Sequence, residues 1–558
     1  MNTENAKLKI MGRLSMVLLA MLVLCSIAAC KKGEQRPPFL APPDPAPPRE
    51  MSIAVKTDYS HLTPYVPPHN KYTRLHDGPL TEFVPSEDYG MLLPYASAVT
   101  FPDGSLRESK YGLVTIDGVI VTDPVYDMVS SAAGYYYGYY GYNSAQAPLP
   151  PAYMLSVIVP GTQTQWGDET RQAACALDGS WVTPFDYVNI IFTENVAILM
   201  RSYESYDIDV YDYSGNLLYN MLDLEWTKRL ADQSWPGELV YSVSEGYGSV
   251  GMPDGTCAFI NIKTGKARYT EYVMAHGFSG GFAPVAINTG SFGPVQQLWG
   301  LINSDFELVI PHRSIYPATF RYGRAILQLS EDTQCIIDER GRELFFVPKG
   351  FYADFNYSGP GFVIYDQEGG PAKFYTIDLV PIRLPEMYNP PDYFNYVDYL
   401  DDGWYTIRTD DGAYVFSQDS EYYFPGVIGI SYKTGDVFIY TESYGDEIRM
   451  GVRALDGREI VPPEQYSNIV PVIEGGEIKA FVFNTNNYLL FGGPGREYRQ
   501  STYRLVRLDG NTIAQGKGVL TYYETVGLYS VLGIDYFAWL DSGGNEIISI
   551  PNISNTFD

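Results

Sequence analysis

From residue 85 onward the apolar positions fall into short runs broken by Asp-Gly, Asn and Pro, and almost nowhere into the i, i+3, i+4 spacing of an amphipathic helix. Three segments show the arrangement: Tyr111-Gly112-Leu113-Val114-Thr115-Ile116-Asp117-Gly118, Trp299-Gly300-Leu301-Ile302-Asn303-Ser304-Asp305-Phe306 and Met450-Gly451-Val452-Arg453-Ala454-Leu455-Asp456-Gly457. Each predicts a short strand led by an aromatic residue or Met plus Gly. Two of the three then turn on Asp-Gly, a strong hairpin signal, and the third has Asp305-Phe306. A second strand follows (VIVTDP, ELVIP or REIVPP), proline ends it, and Tyr126, Tyr316 or Tyr466 comes next. Ala174 to Tyr187 repeats the scheme with Pro184. Weaker units are expected around 195–218, 238–266, 361–373, 403–415, 427–438, 481–511 and 527–548. The pattern predicts roughly eight to eleven units. Residues 220–234 alone predict a helix, with Leu222, Trp226, Arg229 and Leu230 on one face.

The segments resemble the WG-repeat family, whose units run through Trp-Gly, an apolar strand, Asp-x-x-Gly, a strand ending in Ile-Pro, and a tyrosine. Units of that family open on a strand of the type Phe-x-x-Gly-Leu-Ala-x-Val. Phe278-Ser279-Gly280-Gly281-Phe282-Ala283-Pro284-Val285 fits this opening, with Trp299-Gly300 as the next strand. Phe320 to Leu327 followed by Cys335 to Gly341 repeats it. A small antiparallel unit of about 40 residues cannot bury both faces alone, so units must stack on one another. Radial stacking leaves only short edges exposed. An all-β fold, a β-propeller-like array of degenerate WG-type repeats, is therefore expected over residues 85–558. The alternative is an open β-solenoid of stacked hairpins. One large ring is favoured over two, because no linker interrupts the body, and function is expected on the variable loops.

The same resemblance bears on His276-Gly277-Phe278-Ser279-Gly280, which contains a literal G-x-S-x-G with a histidine beside it. A nucleophile elbow needs a strand-to-helix turn, and no helix-period segment follows Ser279. Ser279 is read as part of an opening strand, and no catalytic residue is assigned. Cys175, Cys257 and Cys335 lie in apolar strands of different units and are expected to be buried small residues, although a disulfide between two of them stays open. Cys335 stands where Gly300 and Gly451 stand. The histidines at 61, 69, 76, 276 and 312 show no metal-ligand spacing. Asp401-Asp402 and Asp410-Asp411 flank a strand and read as turn residues, with calcium as the alternative. No metal and no cofactor is expected.

The N-terminus changes the picture more than any internal motif. Lys7, Lys9 and Arg13 precede an apolar stretch from Leu14 to Ile27, then Ala28-Ala29-Cys30. This resembles a bacterial lipoprotein signal peptide over residues 1–29. The resemblance implies cleavage before Cys30, lipidation of Cys30, and a protein held on the extracytoplasmic face of a membrane. Residues 30–50 are proline-rich and predict a semi-rigid polyproline stalk, with residues 51–84 as an extension. The formal net charge of −28 argues against a nucleic-acid partner, since no basic stripe appears. The segment GYYYGYYGYN holds Tyr135, Tyr136, Tyr137, Tyr139, Tyr140 and Tyr142, a possible binding loop because tyrosines give contact area at low entropic cost. The resulting expectation is a non-catalytic, surface-tethered scaffold that binds an envelope protein. A glycan or peptidoglycan ligand is the alternative, and an extracytoplasmic hydrolase the distant one.

Overall fold

The structure, a computed structural model, describes residues 49–50, 71–100, 106–131, 151–164, 167–230, 236–290, 297–368, 372–385, 397–444, 447–464, 466–474, 477–485, 502–523, 526–533 and 536–551. All of them belong to the unit Pro45–Asp558. Cys30, the stalk up to Pro48, Tyr135 to Tyr142, His61 and His69 lie outside the described residues.

Among the described residues eleven small sheets follow one another along the chain, each an up-and-down meander of consecutive strands, to two of which a short N-terminal strand is added at the edge. They form an eleven-bladed β-propeller. Blades 1 to 11 span 92–126, 128–176, 189–220, 247–269, 274–314, 324–347, 351–376, 398–425, 427–464, 466–517 and 519–551. The weak units expected around 195–218, 238–266, 361–373, 403–415, 481–511 and 527–548 fall in blades 3, 4, 7, 8, 10 and 11, whereas 427–438 is no separate unit but the first half of blade 9, which it shares with Met450 to Gly457.

Two turns recur. The first is a two-residue turn with both central residues in the left-handed region, the type I′ geometry that matches strand twist. It is built from Glu245-Gly246, Gly280-Gly281, Tyr322-Gly323 and Asp402-Gly403, with φ between +45° and +81°. Gly280-Gly281 is thus a hairpin turn closed by the Ser279 to Phe282 bridge. The second is the Asp-x-x-Gly turn. Asp212, Asn303, Asp338 and Asp541 each accept backbone N–H groups from two and four residues on, through one side-chain oxygen. The fourth residue is left-handed even where it is Phe306. Its ring packs edge-on against Tyr247, Phe259 and Phe278 at 5.2 to 5.6 Å, which offsets the backbone strain.

The glycine of the Trp-Gly pair has a local cause. The register slips at Gly300 and at Gly451, and this bulge brings a partner carbonyl onto the glycine. A methyl group would meet Ile310 O at 2.6 Å or Val461 O at 2.8 Å. In blade 6 the slip lies further on, between Ile336 and Ile337, and Cys335 pairs regularly with Phe346. A side chain therefore fits there, and Cys335 is buried. Cys175, Cys257 and Cys335 are all buried free thiols.

Among the described residues 220–230, the helix expected over 220–234 does not form. Two 3₁₀ turns, Met221–Asp223 and Thr227–Arg229, stand in its place, and a short α-helix follows at Pro236–Tyr241. Asn220 caps the first turn, and Trp226 is drawn inward to donate to Gly265 O of blade 4, which leaves Leu222 exposed. Tertiary packing of the indole overrides the helical spacing.

Each blade buries its faces against its neighbours. Leu113, Val121 and Tyr126 of blade 1 share a core with Tyr153 and Leu155 of blade 2, and Ile439 and Val452 of blade 9 share one with Phe481 and Phe483 of blade 10. Buried polar side chains staple the interfaces. Gln334 of blade 6 binds both the N–H and the carbonyl of Ala353 in blade 7. Asn484 of blade 10 does the same to Leu520 in blade 11.

The last interface joins blade 11 to blade 1. Leu528, Phe537, Trp539 and Ile548 pack with Leu93, Tyr95, Val114 and Ile120, and the Trp539 indole N–H donates to Pro94 O at 2.9 Å. Outside this core, Lys71 pairs with Ser549 of blade 11, while Thr73 and Leu75 donate to Gly118 O and Ile120 O of blade 1. Thr73–Arg74 forms a parallel edge strand on blade 1, and Arg49–Glu50 forms another on blade 8. The stretch 51–84 therefore contains the stitch that closes the ring. Trp539→Phe removes the closing hydrogen bond and part of a fully buried ring, and should cost about 2–4 kcal/mol. Urea unfolding checks this, and an unchanged midpoint contradicts it.

Candidate functional site

Ser279 lies on the first turn of blade 5, buried, and its hydroxyl donates to Phe320 O at 2.8 Å, in the segment that leads into blade 6. It is one of the staples between blades, like Ser249, whose hydroxyl donates to Ala275 O. His276 packs edge-on against Trp299 at 5.0 Å, and burial pulls its pKa down. The N–H of Gly281 donates to both oxygens of Glu245, at 2.9 and 3.2 Å, and that of Gly280 also points to this carboxylate. The backbone donors of the motif are thus directed at a carboxylate of the preceding blade.

The other candidate chemistry disperses. Asp401-Asp402 and Asp410-Asp411 sit at opposite ends of the strand Trp404–Arg408, so its length separates them. Asp402 is a turn residue at φ +45°. His76 accepts from the N–H of Gly78, and His312 packs on Tyr272. Among the described residues no group of three His, Cys, Asp or Glu side chains converges as metal ligands.

The sequence pattern did not single out a cleft between blades 6 and 7. One wall is the segment entering blade 6, with Tyr316, Thr319 and Arg321. The other is the first strand of blade 7, Phe351–Phe355, with Tyr352, Asp354 and Phe355. Gln328 and Gln334 lie at the bottom, and the space is about 270 Å³. Tyr316 and Tyr352 are 63% and 42% exposed, in a protein where Tyr95, Tyr153, Tyr187 and Tyr440 are buried core. Burial pushes the Tyr352 hydroxyl up, the Asp354 charge and the nearby Tyr316 push the same way, and a hydrogen bond with Gln334 opposes them. The Arg321 guanidinium lies 5.7 Å from the centre of the Phe355 ring. The sequence pattern accounts for Tyr316 only as the tyrosine closing a repeat. The signal that could have found the cleft is the aromatic spacing in Phe351-Tyr352-Ala353-Asp354-Phe355, which falls in the weakly patterned stretch between two units.

No protein-family model matches the chain, and no curated protein matches it. Solved structures align with part of the chain at low identity. A crystal structure of the eukaryotic initiation factor is 10% identical, with a TM-score of 0.34, over 62% of this chain and 95% of that one. BamB from Moraxella catarrhalis is 11% identical, with a TM-score of 0.23, over 64% and 94%. The computationally designed Ika8 protein is 12% identical, with a TM-score of 0.22, over 64% and 93%. Likeness this distant says nothing about activity.

Glu245 is exposed as a residue, but partial burial of its carboxyl raises that group's pKa, Glu194 adds to the rise, and the glycine N–H groups oppose it. A carboxyl with a raised folded pKa contributes stability that is whole below its ordinary value of 4.5 and is lost as pH rises through the raised value. Glu245→Gln should therefore flatten the pH dependence of unfolding just above pH 4.5, as measured by urea midpoints across that window. An unchanged slope contradicts this placement of Glu245.

Proposed function

We propose that the protein is a lipid-anchored, extracytoplasmic binding scaffold without catalysis, and that it takes an extended segment of another envelope protein along the edge strands of blades 3 to 6. The carrying observation is the character of those edges. The last strands of these blades, Leu217–Asn220, Lys266–Tyr269, Leu308–Ser314 and Glu343–Val347, have no strand beyond them among the described residues. They expose Leu217, Leu218, Tyr269, Leu308, Leu344 and Phe346. An edge strand with apolar side chains invites strand addition, in which backbone hydrogen bonds give affinity and alternate side chains give selectivity. The chain itself supplies the precedent, since its N-terminal strands add in parallel to the last strands of blades 8 and 1.

The anchor rests on the resemblance of residues 1–30 to a lipoprotein signal and on the stalk that follows. A glycan ligand is the second reading, and the aromatic cleft favours it.

A photo-crosslinking residue at Phe346 or Leu217 should label one envelope protein, whereas the same residue at Tyr357, which is 95% exposed on a turn, should not. Placing lysine at Leu344 and Phe346 should abolish the adduct at Leu217. Equal labelling at Tyr357, or none at the edges, contradicts the reading. Cys30→Ser should move the protein to the soluble fraction, and continued membrane retention contradicts the anchor.

A further inference from the structure

The cleft between blades 6 and 7 owes its shape to a staple. Gln334 satisfies both backbone groups of Ala353, and so takes the place of a strand partner at the base of the blade interface. Gln328 turns its amide to Ser330 O. With the amides at the bottom engaged in this way, a ligand finds its partners on the walls.

Those walls combine two kinds of surface. Tyr316 and Tyr352 offer aromatic faces to solvent, one from each blade. Arg321 brings N–H donors and Asp354 a carboxylate acceptor to the same opening, and Thr319 can act in either sense. The two charges are opposite, so the site selects neither an anion nor a cation. An apolar plane bordered by donors and acceptors of both signs complements a pyranose ring, which has C–H groups on its faces and hydroxyls around its edge. The cleft is open to solvent and its volume, about 270 Å³, lies at the small end of ligand pockets, which suits one ring better than a folded peptide segment.

We propose that this cleft binds a single pyranose unit of a neutral glycan, its C–H face against the Tyr352 ring and its hydroxyls held by Arg321 and Asp354. This deepens the glycan reading. None of the lining residues belongs to the edge strands of blades 3 to 6, although the wall Phe351–Phe355 touches the last strand of blade 6. Sugar binding and protein crosslinking are read independently, so either assignment can fail without the other.

The test is saturation-transfer NMR on the full-length lipidated protein in a sugar-free detergent, with cellotriose, maltotriose and triacetylchitotriose as probes. At least one trisaccharide should receive saturation, strongest on ring C–H protons. Tyr352→Ala should weaken its binding about tenfold, one aromatic contact's worth. Tyr352→Phe should keep it within about twofold, because the ring remains. Asp354→Asn should weaken it as well. Tyr352 and Asp354 are exposed, so these variants should unfold like the parent, and the urea midpoint verifies that. The proposal is overturned if no trisaccharide receives saturation, or if Tyr352→Ala binds as well as the parent. It is equally overturned if Tyr352→Ala loses a crosslinked protein partner while the sugars show no transfer, since that outcome makes the cleft a peptide site.

Discussion

The contact between the first and last blades is the constraint on which the architecture depends. A small antiparallel sheet has two apolar faces and cannot stay folded with one of them wet, so a linear stack always leaves two faces to cover. Here those two faces cover each other. Trp539, fully buried and bonded to Pro94 O, is the centre of that seam, and the strand pairing of Lys71 to Leu75 crosses it from blade 11 to blade 1. No terminal blade with a polar outer face is then required. The residues that close the ring lie more than four hundred positions apart in the chain, as the Trp539 to Pro94 bond shows, so closure comes at the cost of high contact order and slow folding.

Between the other blades the same problem is solved by apolar packing with a few buried polar staples. Gln334, Asn484 and Ser249 bind the backbone of the next blade where the regular ladder ends. Ser279 belongs with them, which explains how a serine flanked by glycines can look like a nucleophile elbow. The glycines serve a type I′ turn, and the hydroxyl serves the neighbouring blade. The resemblance to a hydrolase motif arises because tight turns and oxyanion sites both draw on glycine.

Strand pattern and turn chemistry were legible in the sequence because each depends on neighbours a few residues away. The Asp-x-x-Gly turns, the glycine that leads each strand and its exchange for Cys335 were legible in this way, whereas the bulge that requires the glycine at 300 and 451 was not. Interfaces were not legible in this way. The helix expected over 220–234 gave way to the pull of Gly265 O on Trp226, a contact 39 residues distant. The closing role of Lys71 to Leu75 was hidden because two or three residues pairing with strands far along the chain leave no periodic trace. The cleft escaped for the same reason, since its walls come from two blades and its signal is a pair of exposed tyrosines among many buried ones. Apolar residues on the edge strands of blades 3 to 6 sit at positions where a repeat pattern allows almost anything.

The blades form a closed ring in which none is terminal, and urea unfolding of the chain cut after Gly518, without blade 11, tests this most directly. A ring deprived of one blade exposes both faces of the gap, so the truncated chain should lose its cooperative transition or aggregate at once. If instead it unfolds at nearly the parent midpoint, with a slope reduced only by the surface of one missing blade, the blades behave as an open stack and the claim is wrong.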